Sequence, residues 1–319
     1  MPFSRLCNGI KVLSSYDQFI INREHCPICK SKKRLVLFSA KHNRPEFLNF
    51  IKFEKFYSKE FYDSYTEGLL GELLYEIAEC KDCHFIYLTE VLNDVGMALL
   101  YNDWLDKELL RVHYSNLPYD IAAERILKWI KNNFRKKDKI NVMDFGAGYG
   151  NFCSIAAKYG FNTFAFDLSV DKNDHVNCMG VTISNDFEKH YGYFDFIWVN
   201  QVFEHLSDPL GVLLNLSQCL TNNGIIYTGV PNCKNIKRTL KRNGLSEKLF
   251  KLLSPHQHIN AFNNNSLKLL GVKAGLKPFS MIDFMKFFNT SLNLNELNFL
   301  IKRIIKNSSY GTSLFFKMK

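Results

Sequence analysis

Ile140-Asn-Val-Met-Asp-Phe-Gly-Ala-Gly-Tyr-Gly150 is the stretch on which the reading of this chain turns. Its first six residues form a short, mostly apolar run of strand type, and residues 151–159 carry a helical pattern. Strand, glycine turn and helix, in that order, lay a backbone without Cβ atoms against a ligand, as a nucleotide-binding loop must. The glycines are spaced G-x-G-x-G, not the G-x-G-x-x-G of dinucleotide sites. Asp144 sits just before the first of them. A carboxylate there repels a pyrophosphate and suits a ligand that carries an ammonium group.

Working outward, Thr163-Phe-Ala-Phe-Asp167 reads as a second strand, ending in a carboxylate 17 residues beyond Gly150. An acid in that place can accept hydrogen bonds from both hydroxyls of a ribose. Residues 181–184 read as a third strand. Asp186 follows, either facing an adenine amino group or serving as a plain turn residue, while Asp171 and Asp174 read as solvated loop residues. Phe194-Asp-Phe-Ile-Trp-Val-Asn200 is largely apolar, as expected of a parallel strand covered on both faces. A helix over 210–220, a turn at 222–224 and a fifth strand over 225–230 complete the run.

These blocks, V-M-D-F-G-A-G-Y-G, F-D-L-S, F-D-F-I-W-V-N-Q-V-F-E-H-L-S-D-P and N-G-I-I-Y-T-G-V-P-N, together resemble class I S-adenosylmethionine methyltransferases, in order and in spacing. The resemblance implies an α/β, Rossmann-like seven-stranded sheet and S-adenosylmethionine as methyl donor. The candidate cofactor-binding residues are then Asp144, Gly146, Gly148, Gly150, Asp167, Asp186 and Asn200. It also implies a closing strand pair, expected at 280–284 and 310–319, the last strand antiparallel and preceded by a helix over 267–276.

Cys26-Pro-Ile-Cys29 and Cys80-Lys-Asp-Cys83 are two C-x-x-C pairs separated by 50 residues. Two such turns supply the four thiolates of a closed, structural zinc site, although the gap exceeds that of a zinc ribbon. With no export signal in view, the nine cysteines do not read as a disulfide framework. We expect a zinc-binding module with connecting helices over 1–115 and a methyltransferase domain over 116–319, with an acceptor-side insertion near 233–260.

The cysteine pairs with E-C-K-D-C-H-F-I-Y-L and L-L-Y-N-D-W resemble methyltransferases that carry an N-terminal zinc module and act in nucleotide-sugar, surface-glycan or secondary-metabolite pathways. Their sugar C-methylating members have a Tyr-His-Glu-His run whose last His is the proposed base. Pro255-His256-Gln257-His258 stands here, so His258 keeps that position while Pro255 and Gln257 depart from the pattern. The departure favours O-methylation over C-methylation, because one positioned imidazole suffices to take a hydroxyl proton. His205, of the Glu204–His205 pair, is the other candidate catalytic residue.

The formal net charge of +10 is compatible with phosphate-bearing partners, and Lys234, Lys237, Arg238, Lys241 and Arg242 form a basic cluster after the fifth strand. That cluster reads either as a diphosphate-binding stretch of a nucleotide-sugar site or as a solvated helix face. An rRNA or tRNA methyltransferase is the alternative, though the asparagine-proline-proline-aromatic motif of amino-methylating enzymes is missing after Asn200. A cofactor-binding but inactive partner subunit is a further alternative. No run approaches the roughly 20 apolar residues of a membrane span, and the chain is expected to be cytoplasmic. The amphipathic stretch 292–305 is expected to pack on the sheet.

Overall fold

The computed structural model describes residues 19–47, 49, 57, 73–115, 120–167, 179–184, 186–288 and 311–319. Asp171, Asp174, Tyr310 and the stretch 292–305 lie outside the described residues.

The N-terminal part is built on short strands: β1 (Ile20–Asn22), β2 (Arg34–Lys41), β3 (Leu74–Cys80), β4 (Ile86–Leu88) and β5 (Glu90–Leu92). Helices α1 (Asp94–Leu99) and α2 (Lys107–Ser115) flank a π-helical turn, Leu100–Trp104. Asn93 caps α1 by accepting from the Gly96 amide.

The second part opens with α3 (Ile121–Asn133), capped by Asp120, whose carboxylate accepts from the Ala122 and Ala123 amides. Next come β6 (Asn141–Phe145), α4 (Asn151–Lys158), β7 (Asn162–Phe166), β8 (Thr182–Ile183), β9 (Phe194–Asn200), α5 (Pro209–Gln218) and β10 (Leu220–Val230). The chain ends with α6 (Ile236–Asn243), α7 (Glu247–Phe250), β11 (Asn260–Ala261), α8 (Asn264–Lys273), β12 (Leu276–Pro278), α9 (Met281–Phe288) and β13 (Thr312–Met318).

Seven strands form one sheet in the order β12-β13-β10-β9-β6-β7-β8. Strands β8, β7, β6, β9 and β10 run parallel, and β13 is antiparallel to both of its neighbours. Burial of β9 along nearly its whole length (Phe194–Val199) follows from helices covering both faces, which is why that strand carries no polar alternation.

The expected strand at 280–284 is corrected: β12 ends at Pro278, and Met281–Phe288 is a helix. Ser280 and Asp283 exchange side chain-to-backbone hydrogen bonds at 2.9 and 3.2 Å. This S-x-x-D capping pair starts a helix where apolar content alone suggested a strand.

The two parts share hydrophobic cores. β11, from the far end of the chain, adds to β4 in the four-stranded sheet β11-β4-β3-β2. Cys233, Ile236, Leu249, Phe250 and Leu253, from the stretch expected to be an acceptor-side insertion, pack against Tyr75, Ile77 and Leu88 of that sheet.

Arg23 stitches the seam. It is buried, and its guanidinium donates to the Leu88 carbonyl, to Asn260 Oδ1 at 2.8 Å and to the Ile259 carbonyl at 2.9 Å. Burial pulls its pKa down to about 9, so the group stays charged at neutral pH. Arg23→Met is expected to cost roughly 3–5 kcal/mol, because it strands acceptors on both parts of the chain. Urea unfolding followed by tryptophan fluorescence measures that loss.

Candidate active site

The glycine turn is fastened to the neighbouring strand: the Gly146 and Ala147 amides donate to the Phe166 carbonyl at 2.8 and 3.1 Å. Gly146 has φ +78° and Gly150 φ +77°, the left-handed region that glycine enters without cost. A Cβ on Gly146 would also lie 2.4 Å from Val202 Cγ2, so the turn and the loop after β9 close on one another there. Gln201 makes that approach possible. It is a non-glycine residue at φ +58°, and it swings the chain out of β9 toward the turn.

Gly146→Ala is therefore expected to weaken donor binding by roughly 2–4 kcal/mol, combining the left-handed backbone cost with overpacking. Val202→Ala in the same chain should restore the packing share and leave the backbone share. Calorimetry with S-adenosylhomocysteine on the three proteins separates the two.

Two carboxylates flank the turn. Asp144 is 3% exposed, and its Oδ2 accepts only a long bond from the Cys153 thiol, at 3.4 Å. Burial pushes its pKa up to about 7, with the neighbouring Asp167 adding to the rise. Asp167 accepts from the Gly148 amide at 2.8 Å, which places it at the rim of the turn. Phe145 and Phe166 stack at 4.8 Å, and Phe187 packs beside them.

Asp186 makes contacts within its own turn. It accepts from the Glu188 amide at 3.1 Å and pairs with Lys189 at 3.2 Å. Asn200 ends β9 against Gly229, where a Cβ would come within 2.3 Å of Asn200 Oδ1.

On the far side of Val202 the short turn Phe203–His205 presents Glu204 and His205. A second segment is locked to it: the Ile259 amide donates to the Glu204 carbonyl at 2.8 Å, and Asn260 Nδ2 donates to the carbonyls of Phe203 and Leu206 at 2.9 and 2.7 Å. His258 thereby lies against His205, ring centroids 4.9 Å apart and edge to face. His258 Nδ1 lies 3.3 Å from the Lys251 carbonyl, so it carries the proton and Nε2 keeps its lone pair. Burial lowers the His258 pKa, which also favours the neutral ring.

His256, two residues earlier, goes elsewhere. It is buried beside His42 and meets the Tyr57 hydroxyl at 3.0 Å. The structure thus brings His205 and His258 together and leaves His256 in the N-terminal core. Glu204 was read from the sequence only as part of a pair with His205. Nothing in its spacing marks it as a buried carboxylate grouped with His205 and His258.

The cysteine pairs form two knuckles with the same hydrogen-bond pattern. The Cys26 amide donates to the Ser31 carbonyl and the Cys80 amide to the Phe85 carbonyl; the Lys30 and His84 amides donate back to Cys26 and Cys80. Lys30 and His84 both adopt positive φ, 61° and 60°. Sulfur separations are 3.6 Å for Cys26–Cys83 and 3.4 Å for Cys29–Cys80. All four sulfurs lie within 4.8 Å of one another. A zinc ion with Zn–S bonds of about 2.3 Å needs tetrahedral edges of about 3.8 Å, and the four thiols fit that requirement.

The basic cluster does not act as one unit. Lys237 is paired with both oxygens of Glu79, at 2.6 and 2.7 Å, next to the second knuckle, and Arg238, Lys241 and Arg242 face solvent.

A family model described as a methyltransferase domain matches residues 118–280. Among curated proteins, a stretch of 124 residues is 29% identical to the ubiquinone biosynthesis O-methyltransferase of Rickettsia prowazekii (strain Madrid E), covering 35% of this chain and 48% of that protein. The protein of the same name from Colwellia psychrerythraea (strain 34H / ATCC BAA-681) is 25% identical over 160 residues, 47% of this chain and 63% of that one. The chain thus spans about half to three-fifths of the length of these relatives. Among solved structures, the plantazolicin methyltransferase BpumL in complex with SAH aligns with 70% of this chain and 94% of its own, at 17% identity and a TM-score of 0.48.

Proposed function

The chain belongs to the methyltransferase domain family, and from that premise we propose that it transfers the methyl group of S-adenosylmethionine to a hydroxyl of a small polar acceptor, a sugar or nucleotide-linked sugar. The observation that carries this reading is the His205–His258 pair, which follows the Val202 contact with Gly146 by one short turn and has the His258 tautomer held by the Lys251 carbonyl. Gly146, Gly148 and Gly150 form the floor of the donor site. Asp144 meets the donor's ammonium and Asp167 its ribose; Asn200 stands at the strand end, and Asp186 borders the adenine. The acceptor hydroxyl meets the protein at His205 and His258 and gives up its proton there. Proximity and alignment of oxygen, methyl and sulfur supply much of the acceleration. The relatives' name supports oxygen as the accepting atom. Cys26, Cys29, Cys80 and Cys83 hold a structural zinc ion, and the knuckles with β11 form the N-terminal module that carries His258.

Two measurements test the proposal. Labelled donor offered with hydroxylated sugars and nucleotide-linked sugars should yield a methyl ether. Failure with every hydroxyl acceptor, while the donor still binds, would overturn the acceptor reading. Donor binding should also depend on pH through Asp144. Its raised pKa means that protonation favours the folded, ligand-free chain at low pH, an advantage lost as pH climbs through about 7. The ammonium of a ligand favours the opposite, ionised form. Affinity for S-adenosylhomocysteine should therefore rise as pH increases, approaching tenfold per unit below about 7 and levelling above it. Asp144→Asn should flatten that profile.

A further inference from the structure

Glu204 is not accounted for by the reading above. Its side chain is 1% exposed, and neither carboxylate oxygen has a hydrogen-bond partner among the described residues. A carboxylate taken out of water without donors costs several kcal/mol, unless it is neutralised, paired or bound to a metal. His205 Nε2 lies 3.8 Å from Glu204 Oε1.

One ligand atom each from Glu204, His205 and His258 lies within 4.8 Å of the other two. The contact from His258 Nδ1 to the Lys251 carbonyl leaves Nε2 as a donor of its lone pair, the arrangement that orients a metal-binding imidazole. The backbone bond from Ile259 to Glu204 and the two from Asn260 keep both segments in register.

We propose that Glu204, His205 and His258 bind a divalent transition-metal ion of the zinc, cobalt or manganese type, with an open coordination position toward the acceptor. Two imidazoles and one carboxylate are a three-ligand set of the kind that leaves room for a substrate oxygen. Side-chain movements of about an ångström bring the three atoms to metal-bond length. The inference rests on the reading of His205 and His258 as the acceptor-facing pair, and it replaces proton acceptance by an imidazole with activation of the hydroxyl by the ion. The hydroxyl oxygen binds the ion and its proton passes to solvent water. That oxygen then forms a bond to the donor methyl as the carbon–sulfur bond breaks, its electron pair staying on sulfur in S-adenosylhomocysteine. The site differs from the cysteine knuckles in its ligand atoms, and that difference makes it separable.

The test is a cobalt titration of the full chain without donor, read by optical absorption. Cobalt on cysteine thiolates gives an intense near-ultraviolet charge-transfer band; cobalt on nitrogen and oxygen gives only weak visible bands. The expected result is one equivalent of the second kind. In Glu204→Gln and in His258→Asn its affinity should fall by roughly 100-fold or more, with S-adenosylhomocysteine binding retained. His258→Asn keeps the test available should the buried substitution at Glu204 disturb folding. No uptake of the second kind by the unaltered chain, or uptake unchanged in both variants, overturns the proposal. Donor binding is measured apart from cobalt, so loss of the metal site and failure of the methyltransferase reading are distinguishable.

Discussion

His258→Ala is expected to lower the rate of methyl transfer by roughly 10²–10⁴-fold, the range over which a positioned acid–base group contributes. The ring is held on two sides, by the edge of His205 at 4.9 Å and by the Lys251 carbonyl at 3.3 Å, so little reorganisation is needed before reaction. The loss should fall on kcat, while the affinity for S-adenosylhomocysteine stays within about twofold, because the proposed role sets the imidazole against the acceptor and not the donor. A residue that only supported the fold would move both. Partial recovery of turnover by added imidazole would mark a proton-accepting role. A metal-holding role predicts instead that His258→Asn and Glu204→Gln fail alike. Full turnover in His258→Ala would remove it from the site altogether.

Cys80→Ser is expected to release zinc and unfold the N-terminal part. Binding free energies for structural zinc run to about 10–16 kcal/mol in isolated zinc modules, as large as the whole stability of an ordinary domain, roughly 5–15 kcal/mol. The effect should not stop at the knuckles. Cys26 and Cys80 are buried in one cluster with Ile28, Phe85, Tyr87, Phe203 and Phe262, so the cysteine knuckles and the turn that carries Glu204 and His205 share a core. β11 hangs on β4, six residues after the second knuckle begins, and His258 lies just before β11. Arg23 adds an electrostatic reason. Zinc with four thiolates carries a net charge of −2, and the buried guanidinium, already favoured by negative charge on Cys26, offsets part of it. The measurements are zinc content by elemental analysis and hydrogen exchange along β3, β4 and β11. Intact protection in a zinc-free Cys80→Ser protein would contradict the role given to the metal.

The donor half of this chain was legible because each element there carries a local signal. Gly146, Gly148 and Gly150 announce a turn that only residues without a Cβ can make, and β9 announces its burial by lacking alternation. The antiparallel last strand came from the resemblance, and β13 takes that place. The error at 280–284 was also local: Ser280 and Asp283 spell a helix start that outweighs the apolar run around them.

The surroundings of His205 and His258 were not legible in the same way, because they are made where distant segments meet. Residue spacing alone could not distinguish His256 from His258, two positions apart. Tertiary packing sends one into a core with Tyr57 and His42 and leaves the other beside His205. Sequence by itself determined the strand–glycine–helix frame, the two cysteine knuckles and the residue types at the strand ends, since those depend on neighbours within a few positions. Only the folded chain decided that Glu204 is buried without donors, that Lys237 is spent on Glu79, and that Arg23 joins the two parts. Burial and pairing between residues far apart in sequence are set by how the layers dock, a property that no local pattern encodes.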